Sequence, residues 1–308
     1  MKENKIWNDY LPEDMQEHWT VYECLKESED SSTFLVKETA TGILCVLKWG
    51  RNRQAEFLRN EMEIMKKMAD RKLSGIPKAY RIFEENGEVY LVREYIEGMS
   101  LAQMILQKGG ISEAEICRIS RKICQTAEQF QNPDEPMIHR DIKPENIVVT
   151  PGAEVVFIDF GTMRSYKKDG SRDTFVVGTR GTAAPEQYGY TQTDQRTDVY
   201  AIGQTMLYMV SESYEMNQLS ECAVSRRMKK IIEKVVECLV AILPFFRKKG
   251  TAKEFSELIT DQYGFLMVQL EKALKDYFDL SAKVKEMHAE IFSLREQRCR
   301  NTECELRK

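Results

Sequence analysis

Histidine, paired cysteines and long apolar runs are all scarce in this chain of 308 residues. Its three histidines lie far apart and its eight cysteines (Cys24, Cys45, Cys117, Cys124, Cys222, Cys238, Cys299, Cys304) contain no C-x-x-C pair, so their spacing builds no zinc cluster. Scattered thiols of this kind read as reduced, mostly buried side chains of a cytoplasmic protein. No stretch approaches the roughly 18 apolar residues of a membrane span. The longest candidate, Val235 to Phe246, is broken by Glu237 and Pro244 and ends in Arg247, Lys248 and Lys249. The opening M-K-E-N-K-I-W-N-D-Y is polar, so a secretory leader is not expected. An excess of one charge is also missing. Lys+Arg 45 against Asp+Glu 49 leaves a net charge of -4, and no overall basic field recruits nucleic acid or an anionic membrane. There is no internal repeat and no low-complexity tract.

What is present is enough apolar material for a core, 42% of the chain, arranged in two styles. From Thr20 to Tyr95 the pattern is one of short strands: residues 20–25, 33–38, 43–49, 79–84 and 88–95, the last two joined by Glu85-Asn86-Gly87 as a hairpin turn. One helix interrupts them between Arg53 and Ala69, where Phe57, Leu58, Met62, Met65 and Met68 recur at helical spacing. Glu61 shares that apolar face. A carboxylate aimed at a core needs a cation, because an unpaired buried charge is strongly unfavourable. Lys48, ending the third strand, answers that need.

After Gly98 the pattern turns helical. Ser112 and Glu115 make a capping box ahead of Ile116, Ile119, Ile123, Ala127 and Phe130, and that helix stops before Pro133 and Pro136. A tight hairpin follows between Asn146 and Ile158, then a polar loop from Thr162 to Arg180, then helical segments from Asp198 to about Ile259. From Gly264 to Lys308 apolar residues alternate steps of four and three, the seam of a coiled coil. Two readings stand for this tail: it dimerises through residues 264–298 or docks on a partner, or it folds back on its own domain.

Four motifs in order carry a resemblance: H-R-D-I-K-P-E-N (139–146), I-D-F-G (158–161), G-T-R-G-T-A-A-P-E-Q-Y-G (178–189) and R-T-D-V-Y-A-I-G (196–203). Over roughly Trp19 to Ile259 the chain resembles a eukaryotic-type Ser/Thr protein kinase of the compact bacterial kind. The resemblance implies an α+β, two-lobed kinase fold with an antiparallel sheet and one helix in the first lobe, a mostly helical second lobe, and ATP between them. The expected division is an extension over 1–18, a kinase domain over 19–262 with lobes of about 19–95 and 96–262, and a helical tail over 263–308.

Phosphoryl transfer needs a group to orient the attacking hydroxyl, metal ions to neutralise phosphate charge and a cation on the α/β-phosphates. The resemblance gives the first role to Asp141 and the Mg²⁺-ligand role to Asn146 and Asp159, whose oxygens are the hard donors that Mg²⁺ prefers. It gives the phosphate cation to Lys48 paired with Glu61, and places Lys143 beside the transferred phosphoryl with Thr179 bridging it to Asp141. Glu94 and Ile96 become the hinge whose backbone bonds adenine, with Val46, Ser28 and Ser31 also on the nucleotide. Arg140 resembles a phosphate-capturing arginine, with Thr174 first and Ser171 second as loop acceptors; an unmodified loop is the other reading. Glu186 and Arg247 correspond to a buried ion pair. Asp198 is either a plain N-cap or a partner of the catalytic-loop backbone.

Three departures stand out. The usual glycine positions before Lys48 fall on Lys26, Ser28 and Ser31, with Glu27, Glu29 and Asp30 among them, and weakened nucleotide affinity is the expected consequence. Arg93 falls where an apolar residue usually closes the back of the adenine pocket; it either reaches Glu61 or another acid, or narrows that pocket. Residues 211–225 are short and polar where the family carries a substrate-docking helix. The expected activity is transfer of the ATP γ-phosphate to Ser/Thr hydroxyls of a protein, including the chain itself. A nucleotide-binding scaffold and a small-molecule kinase are the alternatives.

Overall fold

The computed structural model describes residues 11–130, 135–166, 178–188 and 193–240. Strands β1 (Trp19–Glu27), β2 (Ser31–Glu38), β3 (Leu44–Gly50), β4 (Ala79–Glu85) and β5 (Glu88–Glu94) form an antiparallel sheet in the order β1-β2-β3-β5-β4. The β4–β5 hairpin turns on Asn86 and Gly87 at φ 51° and 83°, the paired left-handed conformation that matches strand twist and that these two residue types tolerate.

Alternation along the strands decides where Lys48 points. Phe34, Val36, Leu47, Tyr90 and Val92 pack with Leu11, Met15 and Trp19 on one face. Met15 comes from a short leading helix, α1 (Glu13–Gln16), and Leu11 from the bend before it, so residues ahead of the first strand help to cover the sheet. Lys48, one residue beyond Leu47, therefore faces the other side. There helix α2 (Arg53–Asp70) lies across the sheet, with Ala55, Leu58 and Met62 against Val89 and Leu91.

The second lobe opens with β6 (Met99–Ser100) and α3 (Leu101–Lys108), whose full capping box is made by Ser100 and Gln103. In α4 (Glu113–Glu128) only half of the expected box forms: Ser112 accepts from the Glu115 amide at 3.3 Å, while the Glu115 carboxylate goes to Lys108 at 2.7 Å. A competing cation seven residues back, at the end of α3, takes the carboxylate. β8 (Ile147–Val149) and β9 (Val155–Phe157) are the expected hairpin. The start of the expected polar loop is ordered instead as β10 (Arg164–Ser165), paired with β7 (Met137–Ile138). Helices α5 (Gln195–Ser211) and α6 (Arg226–Val240) complete a core shared with α3 and α4 that includes Phe130, Phe157, Phe160, Ile202 and Ile232. Two lobes, a sheet with one helix and then a mostly helical body, are as the resemblance implies. Ser171, Thr174, Arg247 and the 264–308 tail lie outside the described residues. Among the described residues no helix is long and apolar enough to cross a membrane.

Candidate active site

A cleft of about 670 Å³ separates the lobes, and Ser31, Val46, Lys48, Glu61, Ile96, Asp141, Lys143, Asn146 and Asp159 all reach its wall. At its upper inner corner Lys48 Nζ lies 2.7 Å from Glu61 Oε2 and 3.5 Å from Asp159 Oδ1. Glu61 is 1% exposed; burial raises its carboxyl above the ordinary range, against the pull of Lys48. The cation that the helical face demanded is therefore present. It is shared with Asp159, which the β8–β9 hairpin brings under it through the bond from the Ile158 amide to the Asn146 carbonyl at 3.0 Å.

Beneath this corner Asp141 sits in a closed ring. Thr179 Oγ1 donates to Asp141 Oδ1 at 2.8 Å, Lys143 Nζ donates to Oδ2 at 2.8 Å, and the same Nζ donates to Thr179 Oγ1 at 2.6 Å. Asn146 Nδ2 adds a bond to Asp141 Oδ2 at 2.9 Å and one to the Asp141 carbonyl at 3.0 Å. These three side-chain donors fix the carboxylate plane and leave Oδ1 an acceptor position for one further donor.

The loop carrying Asp141 is held from below. Asp198 is no N-cap: Asp194 caps α5, and Asp198, fully buried inside the helix, accepts the amides of His139 and Arg140 at 2.9 Å each. Arg140 stands at φ 68°, a conformation that costs a non-glycine residue energy and that the buried carboxylate holds in place. Burial pushes the Asp198 carboxyl up to about 7, opposed by those two amide bonds.

A divalent cation would find two oxygen donors here. Asn146 spends its Nδ2 on Asp141, which leaves Oδ1 as its acceptor, and the Asp159 side chain is 44% open to the cleft. Burial works against ionisation of Asp159, but Lys48 and the Gly161 amide carry its carboxyl below the ordinary range. Among the described residues no group of three or more His, Cys, Asp or Glu could hold a metal by itself. That donor set fits Mg²⁺, which keeps waters and shares its shell with substrate phosphates, and does not fit a metal needing a full protein cage.

The turn over the cleft answers the question raised by its missing glycines. Lys26 and Ser31 line the cleft, but Ser28 does not: its amide and hydroxyl both close on the Ser31 carbonyl, at 2.8 and 2.9 Å. Ser28 is a turn-closing residue here. Asp30 is drawn sideways to Arg51 Nε at 2.8 Å and Asn52 Nδ2 at 3.1 Å, off the cleft wall. At the opposite edge Glu94 is not on the cleft wall: its side chain accepts from the Lys78 amide at 3.0 Å and its own amide donates to the Lys78 carbonyl at 2.8 Å, so of the two expected hinge residues only Ile96 lines the cleft. Arg93 reaches neither Glu61 nor another acid; its Nη1 donates to the Glu94 carbonyl at 3.0 Å.

Two connections were not read from the sequence. Gln187 Nε2 donates to the Arg140 carbonyl at 2.7 Å, tying the A-P-E-Q segment to the catalytic loop. Asn60 Nδ2, on α2, donates to the carbonyls of Gly161 and Met163. The available signal for Asn60 was its residue type, since asparagine is a poor helix former unless its side chain has work elsewhere.

A buried lysine–glutamate pair, an aspartate set in a lysine–threonine ring and a second aspartate across a hairpin are together the parts of a two-lobed kinase. The family model described as "Protein kinase domain" matches residues 20–300, and the chain belongs to that family. It is 30% identical over 200 residues to serine/threonine-protein kinase D of Synechocystis, covering 60% of this chain and 38% of that protein. A probable serine/threonine-protein kinase of Clostridium perfringens is 34% identical over 148 residues, 48% of this chain and 21% of that one. The kinase cds1 of Schizosaccharomyces pombe is 27% identical over 177 residues, 54% and 37%. The chain thus spans well under half the length of these relatives.

Proposed function

We propose that this protein transfers the γ-phosphoryl group of ATP to Ser or Thr hydroxyls of a protein substrate, itself included. The observation that carries the reading is the Asp141–Lys143–Thr179 ring, with all three bonds between 2.6 and 2.8 Å. Asp141 orients the acceptor hydroxyl through the position left on Oδ1 and receives its proton as the hydroxyl oxygen bonds to phosphorus and ADP leaves. Lys143, bound to both neighbours, stands beside the transferring group. Lys48 engages the α/β-phosphates, and Glu61 keeps its ammonium from swinging away. Asn146 and Asp159 would hold Mg²⁺, which when bound neutralises charge on the phosphate oxygens.

Val46 and Ile96 offer the base an apolar and a backbone contact, and Ser31 offers the phosphates a hydroxyl. Cys45 and Cys117 are buried free thiols, which suits a reducing, cytoplasmic setting. No observation favours the scaffold or the small-molecule alternative. The test is incubation of the purified chain with γ-labelled Mg-ATP and a general protein acceptor, followed by phosphoamino-acid separation. Label in phosphoserine and phosphothreonine is expected; label in neither, from protein that binds Mg-ATP, overturns the reading.

A further inference from the structure

Three successive carbonyls after Asp159 are claimed alternately by the two lobes. Asn60 of α2 donates one amide hydrogen to Gly161 O at 2.9 Å and the other to Met163 O at 2.8 Å. The carbonyl between them, on Thr162, accepts from Arg140 Nε of the catalytic loop at 2.6 Å, and the Thr162 hydroxyl donates to His139 O at 3.0 Å. The segment is a turn, closed by the Met163 amide on the Phe160 carbonyl at 3.0 Å, and within it the Thr162 carbonyl faces the catalytic loop while its two neighbours face α2.

The helix sits directly on that segment. A Cβ on Gly161 would stand 3.1 Å from Phe57 Cβ and 3.3 Å from the Phe57 carbonyl, tight enough that a side chain there would press on α2. Phe57 and Asn60 are three residues apart and meet the segment from one helix face. Glu61 follows Asn60, and the lysine it holds, Lys48, also lies 3.5 Å from Asp159. Any slide of α2 over the segment would change both distances to Lys48 together.

We infer that Asn60 is a positioning residue, a two-pronged clamp that makes helix α2 and the Asp159 turn move as one unit, so that Lys48, Glu61 and Asp159 meet the phosphates and their cation in fixed register. This rests on the reading of Lys48 and Asp159 given under the proposed function. A plain stability anchor would look similar in a static picture. The two differ in where the loss is felt: at the phosphate end of the nucleotide for a clamp, everywhere for an anchor. Removal of the amide leaves α2 docked, because Ile64, Met65 and Met68 of the same helix stay buried in the core cluster that includes Leu101, Phe157 and Phe160.

The experiment is calorimetric binding of adenosine, ADP and Mg-ADP to the full chain, to Asn60→Ala and to Asn60→Asp. Alanine removes both donors; aspartate keeps the shape but sets acceptors against two carbonyls. The gain in affinity from adenosine to Mg-ADP should shrink about tenfold in Asn60→Ala and further in Asn60→Asp, with adenosine affinity within about twofold of wild type. An unchanged gain in Asn60→Ala overturns the inference, and so does a parallel loss of adenosine binding. If the wild-type chain itself shows no gain from Mg²⁺, the assignment of Asp159 fails first and the clamp with it.

Discussion

Arg93 donates Nη1 to the backbone carbonyl of Glu94 at 3.0 Å and leaves its buried Nε without a partner, in a side chain 4% exposed at the rear of the nucleotide cleft. Burial drags its pKa down, against the attraction of Glu61, Asp159 and Glu94.

A desolvated cation with an orphaned donor is a poor use of an interior position. Exchange of buried charged groups for apolar ones of similar volume is often neutral or stabilising by about 1–4 kcal/mol. Arg93→Met should therefore hold or raise the midpoint of urea unfolding. A fall in the midpoint would mean that Arg93 is tied into the cleft more tightly than its single bond indicates.

His139 supplies a prediction with a sign. It is fully buried among Phe130, Phe157 and Phe160, and burial lowers its pKa from 6.5 to about 4. The unfolded chain, with the ordinary value, takes up the proton first as pH falls, so the contribution to stability is complete above pH 6.5 and is lost progressively down to about pH 4. His139→Phe, which fits the same aromatic cluster and removes a buried Nε2 lacking a partner, should flatten the pH dependence of the unfolding free energy across that window. The same slope in the variant would place the acid sensitivity elsewhere.

The glycine-free turn gives a third prediction. Arg51 and Asp30 form an exposed pair, each side chain 44% accessible, so the bond contributes little to stability. What it does is keep a carboxylate off the cleft. Arg51→Ala should leave the unfolding midpoint unchanged and weaken ATP binding severalfold at low ionic strength, the difference fading as salt rises. Salt-independent weakening would contradict the electrostatic account.

Several features of the site were legible because a short-range rule forced them. Glu61 on an apolar helix face needed a cation, and strand alternation put Lys48 where it could serve. The Asn146-to-Asp159 hairpin was visible as two apolar triplets around Pro151-Gly152. What escaped depended on choices between competing partners. Glu115 had both its own helix start and Lys108 within reach; for Asp198 the resemblance named the right partners, the amides 58 and 59 residues back, beside the N-cap reading that the fold rejects. Ser28 could face phosphate or close its own turn, and the carbonyl of Ser31 decided it. Such outcomes depend on tertiary distance, which one sequence does not carry. Asn60 belongs with them, since its partners lie 101 and 103 residues away.

The central claim is that Asp141 orients and deprotonates the acceptor while other side chains hold the nucleotide. It is tested most directly by comparing Asp141→Asn with wild type in two measurements on the same protein: initial rate of γ-phosphoryl transfer and affinity for Mg-ADP. The account predicts a rate lower by about 10²–10⁴-fold with affinity nearly unchanged. Transfer by the variant at the wild-type rate would contradict it.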